Sequence, residues 1–347
     1  MKAMTMRQRL LAVIQGRPHD RVPFFMYDMM FPPEQLDGVL SPEQIGLMRW
    51  SNVHRVEHPH CRFEVQEHRR DGLRWERTTL HTPKGSIYQE VAFEPAYDSG
   101  SIRKHYVTER PDYEVLWAYL EDCVILEDYG RYDRDQADLG DRGLPLVAVE
   151  RTAWQQLWVQ WVGLDTLGFH VADDADRVQH TVALLEARQR RIFDLAYRSP
   201  APFVDFPDNI TAPTIGPKRF RQYCVPLYNE LGGMLEERGA VAFCHMDGDL
   251  KPLWADIAAC KIRGLDSFSP QPDNDTSVAE AVQLWPEKRL FVNFPSSVHL
   301  MPADQVRAHA EAILATAGHT GRLEIQISEN VPHAVWRTTL PIIAQAI

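Results

Sequence analysis

The sequence predicts an α/β fold, a (β/α)8 TIM barrel with an appended β-hairpin after the second strand, as a single domain over residues 1–347. Three observations point there. Short apolar or β-branched runs alternate eight times with amphipathic stretches, the pattern of parallel strands covered by helices. The 347 residues match the size at which such barrels occur as one domain. No GxGxxG follows the first run, which weakens the open dinucleotide-binding alternative.

The runs are read in order. VPFFMYD (22–28) is the first strand, and VHRVEHP (53–59) is taken as a weaker second. A polar excursion over 62–107 follows. Its alternating segments LRWERTTL and SIYQEVAF flank Thr82-Pro83-Lys84-Gly85, which is turn chemistry, so a hairpin is expected. A helix is expected over 111–126, then the third strand LPLVAVE (144–150). A long helix over 173–197 opens on Asp173, Asp174 and Asp176, whose charges suit the positive end of its dipole. Strands four to eight are PFVDFPD (202–208), AVAFCH (240–245), LDSFSP (265–270), RLFVNFP (289–295) and RLEIQIS (322–328), and a last helix begins at Pro332. Trp154, Trp158 and Trp161 recur at helical spacing and read as a buried stripe.

A net charge of −11 repels phosphate backbones and anionic lipid, so neither nucleic acid nor membrane is an expected partner. No apolar stretch approaches the ~18 residues needed to span a bilayer. The N-terminus is too charged for a secretory leader, and five scattered cysteines form no CxxC. Reduced thiols in the cytoplasm are therefore expected.

In such a barrel, polar residues at the C-terminal strand ends converge on the active site. Those ends supply Tyr27 and Asp28, then Glu57, His58 and His60, then Glu150, then Asp208 and Asn209. Further round stand His245, Asp247 and Asp249, then Asn293, and finally Glu329 and Asn330. So many ionisable groups on one rim point to an enzyme acting on a small molecule. His245 and Asp247 stand two apart where a strand runs out, and Glu329 arrives at the same height. Together they form a nitrogen–oxygen–oxygen set that leaves a metal position open. The plainer alternative is a hydrogen-bonded rim histidine beside two solvated acids. His58-Pro59-His60 is a rival metal pair or a substrate-facing one. Asp208 and Asn209 either act in catalysis, orienting substrate or accepting a proton, or support the turn. Tyr27, Asp28 and Asn293 are expected to contact substrate.

These segments resemble the uroporphyrinogen decarboxylase superfamily. RQRLLAVIQGRPHDRVPFF is similar to the family's opening helix and "pDRVPv" strand. FCHMDGDLKPLW is similar to its "H-x-C-G" stretch and ISENVPHAVW to its "G-C-G-V-P" stretch. The resemblance covers essentially the whole chain. Where true uroporphyrinogen decarboxylases carry an arginine-rich "RQAGRY" loop, this chain reads MYDMMFPP, which argues against a tetrapyrrole substrate. The other branch comprises zinc-dependent methyltransferases of corrinoid pathways, with one His and two Cys ligands. Matched to that motif, His245 keeps the histidine, while Asp247 and Glu329 replace the cysteines. The resemblance implies a divalent metal, Zn2+ by family likeness, and a corrinoid carried by a partner protein. Two carboxylates keep the charge of two thiolates but are harder ligands. That suggests a substrate bound through oxygen, such as a methyl ether. The alternatives are a decarboxylase or lyase of a small carboxylic acid using Asp208 or Asp28, and a ligand carrier without turnover.

Overall fold

A computed structural model describes residues 3–95 and 99–347. The chain divides into two compact units, one running through residue 53 and taking in 128–150 and 196–347, the other comprising 54–127 and 151–195.

The first unit is a closed barrel of eight parallel strands: β1 (Phe24–Tyr27), β2 (Gly46–Ser51), β3 (Gly143–Ala148), β4 (Phe203–Phe206), β5 (Val241–His245), β6 (Gly264–Phe268), β7 (Arg289–Asn293) and β8 (Leu323–Ile327). They close in the order β1-β8-β7-β6-β5-β4-β3-β2. Strand residues alternate between the barrel interior and the helix layer. Phe25, Phe203, Phe243 and Phe291 therefore meet inside, with ring centroids 4.7–5.6 Å apart in the pairs Phe25–Phe291, Phe203–Phe243 and Phe243–Phe291.

The helix Met6–Ile14 packs Met6, Leu10 and Ile14 onto this cluster. Each such side chain contributes about 1.5–3 kcal/mol by leaving water. Its start is set by a capping box in which Thr5 Oγ1 accepts from the Gln8 amide and the Gln8 side chain accepts from the Thr5 amide.

The β2–β3 contact leaves no room for a side chain at Gly143, where a Cβ would come within 1.9 Å of the Leu47 carbonyl oxygen. Backbone cannot swing aside as a side chain can. Gly143→Ala is therefore expected to destabilise the barrel by about 1–3 kcal/mol or more, read as a lower urea midpoint at unchanged slope.

One strand lies elsewhere than the sequence suggests. The second barrel strand is Gly46–Ser51, whereas His54–Glu57 pairs antiparallel with Val124–Glu127 in the second unit. Arg49 disguises the true strand by interrupting its apolar run, and its guanidinium is held by Asp28 and Asp138 at 2.5 and 2.7 Å.

The excursion does follow the second barrel strand, and it is larger than one hairpin. Arg62–Arg70, Leu73–Thr82, Gly85–Glu94 and Ser99–Lys104 form a four-stranded antiparallel sheet. The Thr82–Gly85 turn joins its middle strands as expected. Trp75, Leu80, Tyr113, Leu116 and Tyr119 form much of the second unit's core, and Trp161 packs on Tyr106 and Tyr119. Trp154 and Trp161 are buried, as the stripe predicts, while Trp158 is half-buried. The five cysteines are buried, and no disulfide joins them among the described residues. No described helix is long and apolar enough to cross a membrane.

Candidate metal centre

At the C-terminal end of the barrel, one ligand atom each from His245, Asp247 and Glu329 lies within 4.8 Å of the others. His245 ends β5, Asp247 lies just beyond it, and Glu329 follows β8. The carbonyl oxygen of Asp247 accepts from Asn274 Nδ2 at 2.8 Å, and Asn274 is also held by the Ser269 carbonyl, which steadies the turn.

The imidazole is aimed by a neighbour that sequence reasoning missed. β5 and β6 place Asp266 directly across from His245. Asp266 is fully buried, and its Oδ2 lies 3.2 Å from His245 Nδ1 and accepts from the Tyr27 hydroxyl at 2.5 Å. Nδ1–H donates to Asp266, so Nε2, which faces Asp247 Oδ2 at 3.6 Å, is the nitrogen that would offer a lone pair once its own proton leaves. Just beyond Asp266 the β6–β7 register shifts, and Ser267 takes a positive φ of 54°. Its amide donates to Gln326 Oε1 at 3.3 Å and its hydroxyl meets Ser328 Oγ at 2.5 Å, which fastens the bulge to β8. Trp50 completes the wall, its ring centroid 5.3 Å from Tyr27 and 6.4 Å from His245.

Electrostatics favour a cation here. Burial lowers the imidazole pKa, but hydrogen bonds to Asp247 and Asp266 outweigh it, and His245 sits well above its ordinary 6.5. Burial, then the negative charge of Asp247, raises Glu329 above 4.5. Two crowded carboxylates would be neutralised by one divalent ion, so nitrogen, two oxygens and charge balance all fit such a group. Burial and the neighbouring Asp266 push Tyr27 well above 10, so it stays a hydrogen donor.

The other predicted residues have partners of their own. Asp28, next to inward-facing Tyr27, is paired with Arg49. Asp208 is fully buried and accepts from the Tyr228 hydroxyl at 2.6 Å, a hydroxyl that also takes Cys244 Sγ at 3.2 Å. Cys244 alternates with inward-facing Phe243 and His245, so Asp208 belongs to the layer between sheet and helix. Asn209 is half-buried beside it. Asn293 Oδ1 accepts from the Ser328 amide and its Nδ2 donates to Ser269, cross-linking the strand ends. Asp249 accepts from the Asp275 amide. His58 stacks on Tyr119 at 4.0 Å and His60 pairs with Asp122 at 2.7 Å, so the two rings have different partners in the second unit.

A methyltransferase from Methanosarcina mazei superposes over 99% of this chain and 98% of its own, with a TM-score of 0.56 and 12% sequence identity. The chain shares its fold with that methyltransferase. MenC from Desulfotalea psychrophila LSv54 aligns over 85% of this chain and 90% of its own at 9% identity, but its TM-score of 0.25 is too low to bear on the fold. No protein-family model and no curated protein sequence matches the chain.

Asp266 is a positioning residue here, acting through His245. Asp266→Ala is expected to weaken divalent-metal affinity about 10–100-fold, measured by competition with a chromophoric chelator. Unchanged affinity would show that the imidazole needs no such support.

Proposed function

We propose that this chain is a metal-dependent methyltransferase. It moves a methyl group between a small, O-methylated substrate and a corrinoid carried by a partner protein. The observation that carries the reading is the convergence of His245, Asp247 and Glu329 within 4.8 Å, with Nδ1 of His245 backed by Asp266. The shared fold with a methyltransferase and the resemblance of the strand-5 and C-terminal segments support it.

His245 Nε2 and one oxygen each of Asp247 and Glu329 would hold the ion. When bound, it supplies Lewis acidity towards an ether oxygen and makes the departing oxygen a better leaving group. Asp266 keeps the proton on Nδ1, so the imidazole meets the ion as a neutral ligand. Tyr27 holds Asp266 in place, and Trp50 gives the pocket an aromatic wall beside the imidazole.

The test is metal content by plasma mass spectrometry on untagged protein, joined to methyl transfer from an O-methylated phenol to cob(I)alamin. About one divalent ion per chain, with corrinoid methylation, is expected. Less than about a tenth of an equivalent after reconstitution, with carbon dioxide released from a carboxylic acid in the absence of corrinoid, would replace this reading with a lyase.

A further inference from the structure

The opposite end of the barrel holds a cavity of about 500 Å³ that the chemistry above does not use. It lies where two loops meet the starts of β7 and β8. One is Gly16–His19, after the first helix, and the other is Gly318–Arg322. Its walls carry Arg17, His19, Arg289, His319 and Arg322 against one acidic residue, Glu287. That balance is unusual in a chain of net charge −11.

The two half-buried arginines are fixed through backbone rather than through acids. Arg289 donates from Nε to the Val13 carbonyl and from Nη1 to the Glu287 carbonyl. Arg322 Nη1 donates to the carbonyls of Trp285 and Lys288 at 3.0 and 2.6 Å. Neither they nor Arg17 form an ion pair with a carboxylate among the described residues. Burial, then the charge of neighbouring Arg263 and Arg322, acts against the charged form of Arg289, and only the charge of Glu287, a smaller effect, acts for it. Those backbone bonds preset the two guanidiniums and leave Arg289 Nη2 and Arg322 Nε and Nη2 without an acceptor among the described residues, N–H groups of the kind that suit the oxygens of a phosphate. Gly16, at a φ of 67°, lets the backbone approach Arg289, since a Cβ there would stand 2.6 Å from Nη2.

Arg17 and Pro18 also line a neighbouring groove of about 460 Å³, walled by Met4, Leu11 and Ala12. A cavity of this size lies within the ~300–1,000 Å³ of small-molecule sites and exceeds what a bare ion needs.

We propose that this end of the barrel is a second ligand site, which takes the phosphate group of a small organic phosphate on Arg289, Arg322 and Arg17. The organic part would lie in the groove beside the first helix. The site is independent of the metal centre and of the reading given to it.

The test is calorimetric titration of the full chain with phenyl phosphate and with inorganic phosphate, at constant ionic strength set with chloride. Saturable binding is expected, weakened about tenfold or more by Arg289→Gln or Arg322→Gln. Arg17→Glu, at an exposed position that cannot unfold the barrel, should weaken it as well. His245→Ala should leave it unchanged. Tighter binding of phenyl phosphate assigns the site to an organic phosphate, and equal binding assigns it to free phosphate. Absence of saturable binding, or binding that survives the arginine variants but is lost in His245→Ala, would overturn the proposal.

Discussion

His245→Ala is expected to reduce bound divalent metal from about one equivalent to less than about a tenth, and methyl transfer by about a thousandfold or more. His245 is the nitrogen donor of the set, and its geometry depends on two contacts at once: Nδ1 on Asp266 and Nε2 towards Asp247. Removing the imidazole leaves two carboxylates to hold the ion without the group that fixes its position. The fold should survive, because Asp266 keeps its hydrogen bond from Tyr27. The lost bond costs on the order of 1–3 kcal/mol. Glu329→Gln is the companion variant. It preserves volume but removes one negative charge, so it should weaken the metal while leaving the imidazole in place. Plasma mass spectrometry, corrinoid methylation and far-ultraviolet circular dichroism read the three consequences. A His245→Ala protein that retains a full equivalent of metal and full activity would sink the scheme.

Metal affinity is expected to climb with pH about tenfold per unit through the neutral range. In the metal-free protein, Asp247 and Asp266 hold the His245 pKa well above 6.5, so the imidazole carries a proton near neutrality. A ligating nitrogen must be neutral, so binding expels that proton. The gain therefore continues until pH passes the raised native value and then levels off. Glu329, raised above 4.5 by burial and Asp247, steepens the dependence at acidic pH. Without metal, the His245 shift has the reverse effect on stability. It favours the fold fully below the unfolded value of about 6.5, and that contribution is lost as pH rises through the native value. Chelator competition at several pH values, with calorimetry in buffers of different ionisation enthalpy, measures both slope and protons released. A flat profile with no proton release would place the ion away from His245.

Local chemistry made much of the barrel readable. Strands buried on both faces must be almost wholly apolar, so FFMY, LPLVA, FVDF and VAFCH stood out from the amphipathic stretches between them. β2 was hidden because Arg49 sits inside it, and a guanidinium in a strand becomes intelligible only with Asp28 and Asp138 beside it. The excursion showed its turn at Thr82–Gly85 but not its four strands, since antiparallel neighbours are chosen by cross-strand packing.

The site divides in the same way. His245, Asp247 and Glu329 were legible because each is an ionisable residue at a point where an apolar strand runs out, and strand ends in a barrel converge. Asp208 and Asn293 satisfy the same sequence criterion, yet one is bonded to Tyr228 in the outer layer and the other ties Ser269 to Ser328. Side-chain direction at a strand end depends on the last turn of the pleat, which one residue reverses.

What the sequence determined by itself was seven of the eight barrel strands in their order and the donor types on the rim, because periodicity and residue chemistry are local properties. Only the tertiary structure decided that Asp266 stands across from His245, that Tyr27 rather than Asp28 faces inward, and that arginines bonded to backbone, with no ion pair among the described residues, gather at the far end. Those facts follow from register between strands distant in the chain, and register is set when the whole barrel closes.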